Sequence, residues 1–181
     1  NDLHFKENEI GTVIKHIPGH GRARTDSHEN LPRVDARASE LVEDSQPFAN
    51  LSHASMAMTA HVVFEAWDPL HCASVSSKVI KEQIRGQIGF GGLLISDDIS
   101  MKALSGSISN RAVAVLSAGC DIALNCCGKM QDMEDIAKRV PAMTDKTLER
   151  LNRATRDLRP AKISLALVKR IEALVEVLDN L

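Results

Sequence analysis

The strongest constraint on this chain is a repeated alternation: short apolar runs, each closed by a cluster of polar residues, separated by helical stretches. Four runs fit, at residues 11–16, 56–63, 92–95 and 121–125. Runs this short between helical segments are the signature of βα units feeding a parallel sheet, because parallel neighbours need a crossover and the crossover is usually a helix. The helical stretches fall at about 35–51, then after Ser76 or Ser77, which offer caps for a helix burying Val79, Ile80 and Ile84 and stopping near Gly89. Another covers about 110–118 and ends at Gly119, whose missing Cβ suits a left-handed C-cap. Beyond the fourth run the chain is helical: about 130–140, stopped by Pro141, a helix starting near Thr144, and a third from about 161 to 181. The last carries Ile163, Leu167, Ile171, Leu174, Leu178 and Leu181 on one stripe, read as packing surface.

The polar clusters sit where the apolar runs end: Lys15-His16-Ile17-Pro18-Gly19-His20-Gly21 after the first, His61 after the second, Asp97-Asp98 after the third, Asn125 after the fourth. In barrels and open α/β sheets the loops at the carboxyl ends of strands carry the chemistry while the sheet holds them in place. Periodicity alone does not separate a half-barrel from an open doubly wound sheet.

Two motifs have distinct chemical uses. In Asp26-Ser27-His28, an extended loop would point residues two apart to the same side, so the carboxylate can orient the imidazole and raise its pKa. Such a histidine is a general acid/base near neutral pH, although most triplets of this form are polar turns. In Ser96-Asp97-Asp98, a carboxylate at the mouth of a buried strand is expensive unless it is a ligand, base or nucleophile. Successive aspartates point different ways, so one faces a site while the other braces the loop or caps the next helix.

Composition removes other classes. A formal net charge of −2 gives no footprint for nucleic acid or an anionic membrane, and the absence of Tyr with one Trp leaves no stacking platform. The four cysteines, Cys72, Cys120, Cys126 and Cys127, match neither a disulfide framework nor a zinc knuckle, and residues 1–10 hold no apolar signal core. A cytoplasmic, cofactor-free protein is expected.

Together these motifs resemble glycoside hydrolase family 3, and within it the NagZ-type bacterial β-N-acetylglucosaminidases of peptidoglycan recycling. The resemblance rests on 13–21 (Val-Ile-Lys-His-Ile-Pro-Gly-His-Gly), Asp26-Ser27-His28 with Leu31-Pro32, Met58-Thr59-Ala60-His61-Val62, 91–104 and 118–124. It implies a TIM (β/α)8 barrel, of which this chain supplies about four C-terminal βα units plus a helical tail: one partial domain over 1–181, with the strands and catalytic loops in 11–128 and the helices in 129–181. It implies a retaining β-N-acetylhexosaminidase that releases terminal GlcNAc from muropeptides through a covalent glycosyl-enzyme. In that reading Asp97 is the nucleophile and His28, oriented by Asp26, is the acid/base. Lys15, His16, Met101 and His61 contact the sugar. For His61 a hydrogen-bonded core role stands as the equal alternative. The family's barrel has further strands before the Lys-His motif, so the chain is expected to need an N-terminal half or self-association. Two rival readings remain: a metal-dependent hydrolase using His16, His20, His28 and Asp97, and an inactive sugar-binding or assembly fragment.

Overall fold

The computed structural model describes residues 10–156 and 158. It is a mixed α/β fold built on parallel strands. β1 (Val13–Ile17), β3 (Met56–Thr59) and β5 (Leu93–Ile95) form one parallel sheet in the order β1-β3-β5. Register pairs Ile14 with Ala57, and Ala57 with Leu94. A second, two-stranded parallel pair joins β2 (Arg33–Val34) to β4 (Val63–Phe64).

Side-chain alternation places the core. Ala57 and Leu94 are fully buried on the helix-covered face of the sheet, packed with Ile80, Ile84 and Ile88 and with Val115. Val13, on the opposite face of β1, remains 37% exposed and Met58 half-buried, so the two sheet faces are covered unequally. A second cluster joins Val34, Leu41, Val62, Phe64, Trp67 and Val79 beneath the first loop.

The helices are α1 (Ala38–Asn50), α2 (Ile108–Ala118), α3 (Met130–Arg139) and α4 (Asp145–Thr155). Ser107 caps α2 by accepting from the Asn110 N–H, and α2 ends at Gly119 with φ +116°, the left-handed cap expected there. Thr144 caps α4. The helix after β3 spans Val79–Gln87 and is wound wider than an α-helix, closing Ile88 N–H onto Gln83 O at 2.8 Å. Of its two candidate caps, Ser76 does the work: its Oγ accepts from Val79 N–H at 3.1 Å. The apolar stripe expected over 161–181 lies outside the described residues.

Two strand expectations are corrected. The run 56–63 is not one strand, because after Thr59 the chain leaves the sheet; Val63 N–H instead bonds Pro32 O, starting a pair with β2 that no periodicity announced. The run 121–125 follows β5 but makes only one parallel bridge, Ile95 to Ile122. Its ladder is diverted: Asp121 and Ile122 N–H groups share Leu94 O, and Leu124 N–H goes to the Ser96 side chain.

Close approach explains Gly92 at the start of β5. A Cβ there would lie 2.6 Å from Ser55 O and 2.7 Å from Ala54 O, so only glycine lets β5 lie against the chain preceding β3.

Candidate active site

Asp97 lies two residues past the end of β5 and is 9% exposed. Its Oδ1 accepts the Asp98 N–H at 2.9 Å, while Oδ2 stands 3.7 Å from His16 Nε2 at the end of β1. One oxygen is therefore pinned by the backbone and the other is presented beside an imidazole. Asp98 has the bracing role. It accepts from Ser100 N–H and Cys126 N–H, both at 3.0 Å, and from the Ser100 hydroxyl. Burial pushes the Asp98 pKa upward, but these hydrogen bonds outweigh it and hold the carboxyl below its usual range. The two aspartates thus divide as their opposed directions suggested.

His16 sits half-buried after Lys15, which is exposed. Burial lowers the His16 pKa; Asp97 opposes that shift, and Lys15, His20 and His28 add to it. The His16 and His20 rings lie 5.8 Å apart, and His20 Nε2 lies 3.3 Å from Ser27 Oγ. His20 therefore ties the interior of the loop to the end of β1. Sequence reasoning gave it no such role, although its place three residues after a strand end was visible.

Asp26 and His28 meet as expected, by a different local structure. The loop is not extended: Glu29 and Asn30 N–H groups both bond Asp26 O in a tight turn. Within that turn His28 N–H reaches Asp26 Oδ1 at 2.9 Å and His28 Nδ1 reaches it at 2.8 Å. With Nδ1–H donating, Nε2 is left to carry an exchangeable proton. The Asp26 hydrogen bond and charge raise the His28 pKa, with Asp97 and Asp98 contributing, and Asp26 is correspondingly lowered. Both side chains are largely exposed, 73% and 65%, so the dyad stands at the rim rather than in the floor.

His61 occupies the hydrogen-bonded core position that stood as the alternative to a sugar contact. It is fully buried, with Nδ1 2.6 Å from Ser74 Oγ and Nε2 3.1 Å from Asp98 O. A carbonyl only accepts, so Nε2 carries the hydrogen and neutral Nδ1 accepts from the Ser74 hydroxyl. Burial lowers its pKa, consistent with that neutral form. No ring nitrogen is left for a hydroxyl, and His61 instead anchors the Asp98 backbone. Met101 is buried beside the same loop, 6% exposed.

Two residues that the sequence did not flag shape this loop. Arg111 on α2 donates Nη1 to Ile99 O and Met101 O at 2.9 and 3.0 Å and Nε to Gly106 O at 3.0 Å. Asp121 accepts from Leu94 N–H, Arg85, Arg150 and Thr147, fixing β5 three residues before Asp97. Asn125, at the fourth run's end, accepts Cys127 N–H, while its buried Nδ2 finds no hydrogen-bond partner among the described residues. Among the described residues no group of three or more His, Cys, Asp or Glu side chains converges as a metal site.

The chain matches the glycosyl hydrolase family 3 N-terminal domain over residues 4–158. It belongs to that family. Similar curated proteins include a β-hexosaminidase of Alkalilimnicola ehrlichii, 43% identical over 65% of this chain and 35% of its own length. Another is that of Shewanella frigidimarina, 44% identical over 66% of this chain and 37% of its own length. Among solved structures, a family 3 β-N-acetylglucosaminidase from Paenibacillus is similar with a TM-score of 0.78 at 27% identity, covering 90% of this chain and 34% of that one. NagZ from Neisseria gonorrhoeae, solved with N-trifluoroacetyl-D-glucosamine, gives 0.70 at 30% identity, covering 89% and 46%. The chain thus spans little more than a third of the curated relatives' length.

Proposed function

We propose that this chain provides the catalytic loops of a retaining β-N-acetylhexosaminidase acting on terminal GlcNAc of peptidoglycan-derived muropeptides. The observation that carries this reading is the pairing of a His28–Asp26 dyad, 2.8 Å apart, with a strand-end Asp97 whose Oδ2 is free of hydrogen bonds from its own loop. β-Hexosaminidase relatives and the N-trifluoroacetyl-D-glucosamine complex of a similar NagZ support the sugar class.

In the first step Asp97 Oδ2 attacks the anomeric carbon. The glycosidic C–O bond breaks, and the leaving oxygen takes the His28 Nε2 proton. The imidazole, now neutral, removes a proton from water as that water attacks the same carbon. The ester bond to Asp97 then breaks, returning carboxylate and imidazolium. A histidine suits this role because its neutral form places no second negative charge beside Asp97, unlike the carboxylate pair of most retaining enzymes. Asp26 orients the ring and stabilises the imidazolium. Lys15 and His16 hydrogen-bond sugar hydroxyls, and Met101 lines the sugar pocket.

The parallel β1-β3-β5 order with Ile122 alongside supports a further reading: these are consecutive βα units of a (β/α)8 barrel. The remaining strands come from sequence outside these 181 residues or from a second copy of the chain. The reaction needs no cofactor or metal, and the cytoplasm is the proposed compartment.

The decisive experiment uses a fluorinated GlcNAc glycoside that forms the ester quickly and hydrolyses it slowly. Peptide mass mapping should place the sugar on Asp97. An adduct on Asp98, or none with an intact fold, sinks the assignment.

A further inference from the structure

The loop carrying His28 is held at two points. Near its start, Arg22 makes a two-pronged pair with Asp44 on α1 and approaches Glu40 at 3.8 Å. That contact joins the loop to the helix that follows it and says nothing about Asp97. Near its end, Glu29 Oε2 receives Lys102 Nζ at 2.6 Å, and Lys102 N–H lies 3.4 Å from His28 O. Among the described residues, both hydrogen bonds that join the His28 loop to the loop carrying Asp97 and Met101 come from Lys102. Just past the first point, Ala23 and Arg24 border a cavity of about 520 Å³ that they share with Arg33, Val34 and Asp35.

We infer that the Glu29–Lys102 ion pair clasps the His28 loop onto the Asp97 loop and so sets how often the acid stands within reach of the leaving oxygen. The inference rests on the roles proposed for Asp97 and His28. Glu29 and Lys102 are positioning residues: neither touches the sugar, and each acts through the backbone of a neighbour that does. Lys102 is well suited, since it follows Met101 directly while Arg111 holds the Met101 carbonyl from below. An exposed pair, 61% and 68% accessible, is weak and screened by salt. Weakness fits a contact that must open for substrate to enter and product to leave.

The test compares Glu29→Gln, the charge-reversed double variant Glu29→Lys with Lys102→Glu, and Glu65→Gln as control. Glu65 pairs with Arg33 on β2, 38% and 50% exposed, and among the described residues hydrogen-bonds neither the His28 loop nor the Asp97 loop. Two readouts are taken: hydrogen exchange of residues 24–31, and kcat/KM on a nitrophenyl against an alkyl GlcNAc glycoside. Glu29→Gln should speed exchange and lower kcat/KM for the alkyl glycoside by about two- to fivefold more than for the nitrophenyl one. The double variant should restore both, the control should change neither, and high salt should reproduce the loss in every protein that keeps the pair while adding nothing to Glu29→Gln. Unchanged exchange in Glu29→Gln overturns the clasp. Faster exchange with an unchanged substrate ratio overturns its link to the acid. Absence of turnover by the wild-type protein counts against the proposed function, and the exchange comparison then still decides the clasp.

Discussion

Replacing Asp121 by alanine tests how the fold holds β5, the strand that leads to Asp97. The carboxylate is 4% exposed and accepts four hydrogen bonds: Arg85 Nη2 at 2.8 Å and Leu94 N–H at 2.9 Å on Oδ2, Arg150 Nη1 at 2.8 Å and Thr147 Oγ1 at 3.1 Å on Oδ1. Arg85 and Arg150 are themselves only 17% and 15% exposed. Burial and the nearby Arg150 both push the Arg85 pKa down, and Asp121 is the group that opposes them. Removing the carboxylate leaves two guanidinium groups facing each other in a poorly solvated site, together with an unmatched Leu94 N–H. Breaking a buried pair by deleting one partner costs about 3–5 kcal/mol. With a urea slope of about 2 kcal/mol per M for a chain of this size, the unfolding midpoint should fall by about 1.5–2.5 M. Urea titrations followed by far-ultraviolet circular dichroism measure it directly. Because Leu94 lies three residues before Asp97, any activity should fall at denaturant concentrations that leave the wild-type protein unaffected. A loss below about 1 kcal/mol would show that solvent reaches Asp121 and that the hub is an ordinary surface network.

The remaining expectations concern the histidines. His28→Ala should reduce cleavage of alkyl glycosides by about 10²–10⁴-fold while sparing nitrophenyl glycosides in the glycosylation step; equal losses would make His28 structural. Asp26 raises the His28 pKa, so imidazolium persists above pH 6.5 and is lost as pH rises through the raised value. Asp26→Asn should move that loss to lower pH, read by imidazole NMR and by the alkaline limb of the rate profile; an unmoved titration refutes the dyad. His61 has the opposite sign. Its folded pKa lies below 6.5, so the unfolded chain binds the proton first and stability falls as pH drops below 6.5. His61→Gln should flatten the stability profile between pH 6.5 and 5, and an unchanged slope would show that His61 titrates normally.

The sequence by itself located the candidate site. Lys15, His16 and Asp97 stand where apolar runs stop, with Asp26 and His28 in the loop that follows the first, and a strand's carboxyl end is the place where polar side chains escape burial without leaving the sheet. Helix limits were also legible where the signal is local, as at Ser107 and Gly119, because a cap depends on one side chain or one missing Cβ. Only the tertiary structure decided what each polar group bonds. His61 reads as a strand-end ligand in sequence, yet Ser74 and Asp98 O, 13 and 37 residues away, occupy both nitrogens. The run 121–125 has a strand's composition, yet Ser96 and Leu94 O take its backbone donors. Asp121, Arg111 and the Glu29–Lys102 pair were illegible for one reason. Their roles lie in partners distant along the chain, and a charged residue carries no local mark of whether folding will bring it to another charge, to a carbonyl or to water.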